Sequence, residues 1–160
     1  MQEVMFKLKI KYVEGLVRWL KEELILSSEE SRVRTKFANL LWDYLNRLNP
    51  KKMEIIGKYA NKDAEGNLIT VINGEGKKMY DVPEEKMNEF NVEFNGFLEE
   101  NLIIPVKENE ELFKKAKQFI LNSTYPFGVN PTDTGVIRII RLELEDTYPI
   151  WCEALENLIF

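Results

Sequence analysis

The sequence predicts one α+β domain over residues 1–160, mostly helical, with a small antiparallel sheet that includes a β-hairpin near residues 67–82. Three observations predict this fold class. Hydrophobic residues make up 44% of the chain and charged residues 31%, a balance typical of globular proteins. Most segments space their apolar residues at helical intervals, while a few short segments alternate apolar and polar residues as strands do. No internal repeat, low-complexity tract or linker divides the chain.

The first fifty residues predict a strand and two helices. Phe6, Leu8 and Ile10 alternate with lysines, which is the period of a half-buried strand. The apolar residues that follow have helical spacing: Val13, Leu16, Val17, Leu20 and Leu24. Ser27 and Glu30 fit a capping box at the start of the second helix. The apolar stripe of that helix comprises Val33, Phe37, Leu40, Leu41, Tyr44 and Leu48.

The middle of the chain predicts another helix and a hairpin. Pro50 is expected to kink or end the preceding helix, because its ring blocks a backbone hydrogen bond. Residues 53–60 (MEIIGKYA) predict a further helical segment. The motif DAEGN at 63–67 is typical of a tight turn, and the pair Asn73–Gly74 between apolar runs is a strong signal for a hairpin. We therefore expect antiparallel strands on either side of Asn73.

Two helices and an edge strand are predicted next. Pro83 suits a first helical turn, and the helix after it carries an apolar stripe of Met87, Phe90, Phe94, Phe97 and Leu98. The segment Leu102–Val106 predicts a short strand or an extended link, and Pro105 favours a sheet edge because proline cannot donate to a ladder. Asn109 is the predicted cap of a helix whose apolar face comprises Leu112, Phe113, Ala116, Phe119 and Ile120.

The C-terminal segments predict a loop, a strand and a final helix. Residues 122–135 are rich in Asn, Pro, Thr and Gly and predict a loop. Ile140–Glu145 (IRLELE) alternates strictly and predicts a strand. Thr147 and Pro149 are expected to start the final helix, with one apolar side formed by Trp151, Leu155 and Leu158.

The acidic residues around the hairpin were compared with two metal-site patterns. A calcium loop counted from Asn61 has suitable residues as far as Gly66, but its twelfth position is Ile72 instead of the glutamate that closes the cage. A nuclease pattern of Asp63, Glu75 and Lys77 needs the last two residues on a rigid strand, and Glu75 lies between two glycines typical of a turn. The sequence predicts a hairpin here and no metal site.

Composition excludes several chemistries. The chain has no histidine, so neither a Ser-His-Asp nor a Cys-His arrangement can form. Cys152 stands alone and cannot form an intramolecular disulfide. The net charge of −5 disfavours broad binding to nucleic acid. No apolar run is long enough for a membrane span, and no signal peptide is evident. We expect a protein of the cytoplasm with no membrane partner, no cofactor and no catalytic residues.

Two groups of side chains are candidates for binding. Arg32, Arg34 and Lys36 form a local basic cluster that could hold an anionic ligand or an acidic partner, although charge runs are more often solvated faces. Trp19 and Trp42 flank the apolar stripes of their helices, where each either widens the core or anchors a partner. Ile159 and Phe160 must also pack against the fold or against another subunit. The candidate interface aromatics are thus Trp19, Trp42 and Phe160.

Four segments together resemble a known family. In order they are FKLKIKYVEGLVRWL, SRVRTKFANLL, KYANKDAEGN and WCEALENL. Taken together, they are similar to a family of small uncharacterised proteins encoded by phages and prophages of low-GC Gram-positive bacteria. The resemblance spans most of the chain, but its motifs are structural in character. It implies a viral accessory or structural role in the host bacterial cell and brings no catalytic residues with it.

The sequence therefore favours a non-enzymatic phage-encoded accessory protein that binds a host or phage protein, for example to inhibit a host or anti-phage defence factor. Two alternatives stay open. One is a virion-assembly or tail-associated component. The other is a binder of a small anionic nucleotide that uses Arg32, Arg34 and Lys36. The sequence is also compatible with a homo-oligomer.

Overall fold

The structure is a computed structural model that describes residues 3–23, 28–122 and 135–160. It confirms the predicted class, because the chain is α+β and mostly helical with small antiparallel sheets. The helices are α1 (Ile10–Arg18), α2 (Ser28–Asn46), α3 (Asn49–Tyr59), α4 (Met87–Leu98), α5 (Glu110–Leu121) and α6 (Gly135–Glu156). The strands are β1 (Met5–Lys9), β2 (Thr70–Ile72), β3 (Lys78–Tyr80) and β4 (Asn101–Pro105). Across the described ranges, no helix has the length and apolarity needed to cross a membrane.

The chain separates into two compact units. The terminal unit comprises Met1–Leu45 and Asn101–Phe160, and the middle unit comprises Asn46–Glu100. Each is described by itself below. The expectation of a single domain over residues 1–160 stays a prediction.

The sheet of the terminal unit consists of β1 and β4, and both strands lie where the sequence predicts them. β1 and β4 pair antiparallel, with Phe6 opposite Ile104 and Leu8 opposite Leu102. These four side chains are buried, and the residues between them are exposed, as period-two alternation requires. Pro105 ends β4, a strand whose one partner in the described chain is β1, so the proline has the edge position that its missing donor demands.

An aromatic cluster joins this sheet to α2 and α5. Phe6, Phe37 and Phe113 are each fully buried, and their ring centroids lie 5.4 to 6.3 Å apart in edge-on or tilted contacts. Such contacts stabilise by about 0.5–1.5 kcal/mol per pair beyond the burial of area. The apolar stripes predicted for α2 and α5 therefore meet in one core.

A second aromatic contact lies between the start of the chain and α6. Trp19 belongs to a π-helical turn, Trp19–Glu23, that continues α1, and its ring lies 5.6 Å from that of Trp151. Trp151 also donates its indole N–H to the backbone oxygen of Tyr12 at 3.1 Å. The predicted burial of the side formed by Trp151, Leu155 and Leu158 is confirmed.

Helix α6 corrects two predictions. The strand predicted at Ile140–Glu145 is wrong, because these residues belong to a helix that begins at Gly135. Thr147 and Pro149 do not start a helix but lie inside this one. Six alternating residues cannot separate strand from helix when five of them are Leu, Glu and Arg, which are strong helix formers. Pro149 removes one backbone hydrogen bond without ending the helix.

Two helix boundaries follow their predicted signals. α2 ends at Asn46, and Pro50 lies in the first turn of α3, where its missing N–H would have no helical partner. α5 begins directly after Asn109 as predicted, but the Asn109 side chain makes no capping hydrogen bond. The predicted features that lie outside the described residues are Leu24 of the first helical stripe, the Ser27 cap and residues 123–134 of the loop.

The middle unit consists of α3, the β2–β3 hairpin and α4. The hairpin confirms the prediction for residues 67–82, and its register places Val71 opposite Met79 and Ile72 opposite Lys78. α4 is preceded by a 3₁₀ turn, Glu84–Lys86, immediately after Pro83. Along the apolar stripe predicted for α4, Phe97 is buried, Phe90, Phe94 and Leu98 are half-buried, and Met87 is exposed.

Candidate partner-binding surface

The turn at DAEGN uses its aspartate for structure. Asp63 Oδ1 accepts hydrogen bonds from the backbone N–H groups of Glu65 and Asn67, both at 2.9 Å. Gly66 has a φ of 85°, a conformation that glycine adopts without steric cost. A carboxylate oxygen engaged with two N–H groups of its own loop explains why an aspartate begins this turn. The best acidic residue of the calcium pattern thus has a structural role.

The hairpin turn repeats the same construction ten residues later. Asn73 Oδ1 accepts from the N–H groups of Glu75 and Lys77 at 2.9 Å, and Gly76 has a φ of 79°. Glu75 lies at the turn and not on a strand, as its two flanking glycines predict. Asn73 also directs its Nδ2 at Met79 Sδ, 3.2 Å away. Each turn is therefore closed by the side chain of its first residue.

Backbone hydrogen bonds fix the base of the hairpin. Asn61 N–H donates to the Asp81 oxygen, Ile69 N–H to the Asn61 oxygen and Asp81 N–H to the Ile69 oxygen, at 2.8 to 2.9 Å. Asn61 Nδ2 also donates to Asp81 Oδ2 at 3.1 Å. The segment that leaves α3 is thus tied to both arms of the hairpin. The strands between these two fixed ends are held in a defined conformation.

This ordered hairpin carries apolar side chains that are not buried. The exposed fractions are 44% for Val71, 75% for Ile72, 49% for Met79 and 36% for Tyr80, and we call these four residues the hairpin surface. Val71 and Met79 share one face of the hairpin, and Ile72 and Tyr80 share the other. Tyr80 Oη lies 3.8 Å from Met53 Sδ on α3. Met53 therefore partly covers Tyr80, whereas Ile72 on the same face of the hairpin stays exposed.

The middle unit as a whole is rich in exposed apolar groups. Among the described residues, its large exposed hydrophobic side chains are Met53, Val71, Ile72, Met79, Tyr80, Met87 and Val92. In the described ranges, its buried apolar residues are Ile55, Ile56, Ala60 and Phe97, whereas all the other buried apolar residues belong to the terminal unit. Large apolar side chains left exposed on an ordered surface are candidates for an interaction site.

The helical part of the middle unit is ordered by Glu93. Its carboxylate accepts hydrogen bonds from Lys58 Nζ at 2.6 Å and from Tyr59 Oη at 2.5 Å. These bonds, that of Lys58 first, lower the pKa of Glu93 below its ordinary value. The same contacts raise the pKa values of Lys58 and Tyr59. Tyr59 also meets the Phe90 ring edge-on at 5.9 Å, so α3 and α4 are held together beside the exposed Val92.

The predicted basic cluster does not form one site. Arg32 and Lys36 lie one turn apart on α2 and are exposed. Arg34 lies two residues from each, which places it on a different side of the helix, and it is half-buried. The three residues therefore do not converge on one ligand from a common face.

The three predicted interface aromatics differ in accessibility. Trp19 is fully buried, so the core interpretation holds for it and the anchor interpretation is wrong. Trp42 is 40% exposed on α2. Phe160 is 44% exposed, but the ammonium groups of Lys114 and Lys117 lie 5.6 and 5.8 Å from its ring centre. Two cations over the ring give Phe160 partners within its own unit.

Sequence reasoning identified the hairpin but missed its surface. The run LITVI is apolar at four of five positions, which is typical of a strand buried on both faces. Only the structure shows that, among the described residues, Val71 and Ile72 keep 44% and 75% of their surface exposed. The short spacing of the glycine-containing turns could have indicated this exposure. It allows only short strands, and a short two-stranded hairpin cannot bury both of its faces by itself.

Two observations concern groups that could take part in chemistry. Within 3–23, 28–122 and 135–160, no three Cys, Asp or Glu side chains come together as a metal site would require. Cys152 is half-buried, and burial raises the pKa of its thiol, which disfavours the nucleophilic thiolate. Comparison with protein-family models, curated proteins and solved structures gives no match to this chain. The hairpin surface is the candidate site for binding.

Proposed function

We propose that this chain is a non-enzymatic accessory protein that acts by binding another protein through the hairpin surface. The observation that carries the proposal is the exposure of Val71, Ile72, Met79 and Tyr80 on a hairpin that is closed by ordered turns. Removing such side chains from water is the main favourable contribution to protein association.

The order of the hairpin matters as much as its apolarity. Binding loses affinity when loops and side chains must be immobilised at the interface. Here the Asn73 side chain and the hydrogen bonds around Asn61 already fix the backbone before a partner arrives. Tyr80 adds a large side chain with a polar tip, a residue type that is enriched among the side chains that dominate binding energy.

The partner remains to be identified by experiment. The resemblance drawn from the sequence directs the search to host proteins, including components of anti-phage defence, in phage-infected cells. Lys77 and Lys78 border the hairpin surface together with Glu75, so charge does not restrict the partner to one sign. An apolar recess with a mixed polar rim is the surface we expect on that partner.

The test is an affinity pull-down with a matched pair of variants. Tagged chain is incubated with lysate of infected host cells, and the bound proteins are identified by mass spectrometry. Ile72→Asp should abolish recovery of a stoichiometric partner, because it replaces the most exposed apolar side chain of the hairpin surface by a charge. Val92→Asp is the control, since Val92 on α4 is 76% exposed and Ile72 is 75% exposed.

Three outcomes contradict the proposal in part or in full. Equal loss of the partner in both variants would show that the hairpin surface is not specific. Recovery of capsid or tail proteins would instead favour a role in virion assembly. If no protein is recovered, calorimetry with nucleotides on the wild type and on an Arg32→Ala, Lys36→Ala variant tests the remaining alternative, and a signal lost in that variant would replace the proposal.

A further inference from the structure

Strand β3 has one edge that points away from its partner. In an antiparallel ladder, residues alternate between those that bond to the neighbouring strand and those whose N–H and C=O groups point outward. Asn73 bonds to Lys77 and Asp81 bonds to Ile69, so Val71 and Met79 form the bonded pair between them. The backbone groups of Lys78 and Tyr80 therefore point outward from the hairpin.

The outward edge of β3 is open in the part of the chain that the structure describes. No described strand pairs with it, and no backbone hydrogen bond to the Lys78 or Tyr80 main chain is made from outside the hairpin. On the other arm of the hairpin, the isolated bridge between Lys62 and Leu68 lies two residues before β2 begins. Exposed edges of this kind are templates for pairing with another chain.

The sequence along this edge is complementary to itself. The residues from 77 to 81 read Lys-Lys-Met-Tyr-Asp, with a cation at one end and an anion at the other. If two copies are paired antiparallel about Met79, Lys77 of one lies opposite Asp81 of the other. Lys78 then lies opposite Tyr80 of the second copy, and Met79 lies opposite its own equivalent.

We propose that the chain forms a two-fold symmetric dimer by antiparallel pairing of β3 with β3 of a second copy. The outward backbone groups of Lys78 and Tyr80 then bond to each other across the axis, in the alternation that an antiparallel ladder requires. Two ion pairs, each between Lys77 and Asp81 of different copies, flank the central methionines. The two hairpins become one four-stranded sheet.

Charge selects this register over its neighbours. A shift in one direction places Lys78 opposite Lys78 of the second copy, and like charges directly opposite are destabilising. A shift in the other direction places Asp81 opposite Met79 and leaves Lys77 without an acid. Lysines on an edge strand usually prevent association. In the proposed register, however, Lys77 lies opposite Asp81 and Lys78 lies opposite Tyr80, so neither lysine faces a like charge.

Sheet size supports the same pairing. A two-stranded hairpin is marginally stable in water, and three or more strands with an apolar face are usually needed. All six residues of β2 and β3 are exposed in the single chain. In the dimer, Val71 and Met79 of both copies line one face, so that the apolar side chains shield each other.

The inference does not rest on the proposed function, because its test uses the purified chain alone, although Met79 and Tyr80 belong to both surfaces. Sedimentation velocity over a concentration series should show a species of twice 18.9 kDa that dissociates on dilution. Lys77→Asp should raise the dimer dissociation constant about tenfold or more, since it replaces two attractive pairs by two repulsive ones. The double variant Lys77→Asp with Asp81→Lys should restore dimerisation, because the same pairs form with exchanged signs.

A proline pair tests the backbone part of the proposal. Lys78→Pro removes an outward N–H from the β3 edge and should abolish the dimer, whereas Ile72→Pro removes an outward N–H from the β2 edge and should leave it intact. Far-UV circular dichroism checks that each variant remains folded. A wild type that stays monomeric at all concentrations overturns the proposal, as does a dimer that is unaffected by both Lys77→Asp and Lys78→Pro.

Discussion

Single polar side chains determine local order in the middle unit. Asp63 and Asn73 each close a turn through two backbone N–H groups, and Glu93 joins α3 to α4 through Lys58 and Tyr59. In each case a short acceptor side chain satisfies donors that would otherwise be left to water. These residues fix the scaffold on which the apolar side chains are displayed.

Glu93 makes the stability of the fold depend on pH. Its pKa in the folded chain is lowered from an ordinary value of 4.5. The ionised carboxylate therefore stabilises the fold above the unfolded pKa, and this contribution is lost as pH falls through the lower folded pKa. We expect Glu93→Gln to reduce the free energy of unfolding at neutral pH and to have a diminishing effect as pH drops below 4.5.

Urea unfolding of wild type and variant at several pH values measures this difference. Glu89→Gln is the control, because Glu89 lies one turn away on α4 and accepts neither of the two hydrogen bonds. A difference between wild type and Glu93→Gln that stays constant from neutral to acid pH would show that the hydrogen bonds do not depend on the charge of Glu93.

At the scale of elements, the sequence correctly predicts the strands and helices that have one buried face and one exposed face. β1 and β4 alternate, α5 repeats its apolar residues at helical intervals, and each signal matches the burial observed. The prediction fails at Ile140–Glu145, where a six-residue alternation coincides with strong helix formers. It also fails to reveal the hairpin surface, because the exposure of Ile72 depends on which element lies over it and not on its neighbours in sequence.

Pro149 separates the two interpretations of the C-terminal segment. Inside α6 its position lacks a backbone donor for the carbonyl four residues earlier, so Pro149→Ala should stabilise the fold by up to about 3 kcal/mol. If a helix began at Thr147 instead, Pro149 would lie in a first turn, where proline is favoured, and the substitution would bring no gain.

Pro50→Ala provides the matched control for this prediction. Pro50 lies in the first turn of α3, so its replacement should leave the free energy of unfolding nearly unchanged or slightly lower. Chemical denaturation with far-UV circular dichroism measures both variants. Equal responses of the two prolines would argue against a continuous α6.

For the whole molecule, apolar burial is unevenly distributed between the two units. The terminal unit holds the aromatic cluster of Phe6, Phe37 and Phe113 together with the Trp19–Trp151 contact. The middle unit buries four apolar side chains and exposes its hairpin surface. If the hairpin surface binds a partner as proposed, a surface substitution at Ile72 should alter binding with little change in the free energy of unfolding.

This distribution predicts two levels of protection in native-state hydrogen exchange. Amides of β1 and β4 should exchange only through global unfolding, because they lie over the large core. Amides of Val71 and Met79, which bond within the hairpin, should exchange through local opening at a lower free energy.

The experiment uses the Lys77→Asp variant, so that self-association does not protect the hairpin. Low concentrations of urea should accelerate exchange in β1 and β4 more steeply, since global opening exposes more surface. Equal protection and equal urea dependence in all four strands would instead show one cooperative unit over residues 1–160, as the single-domain prediction requires.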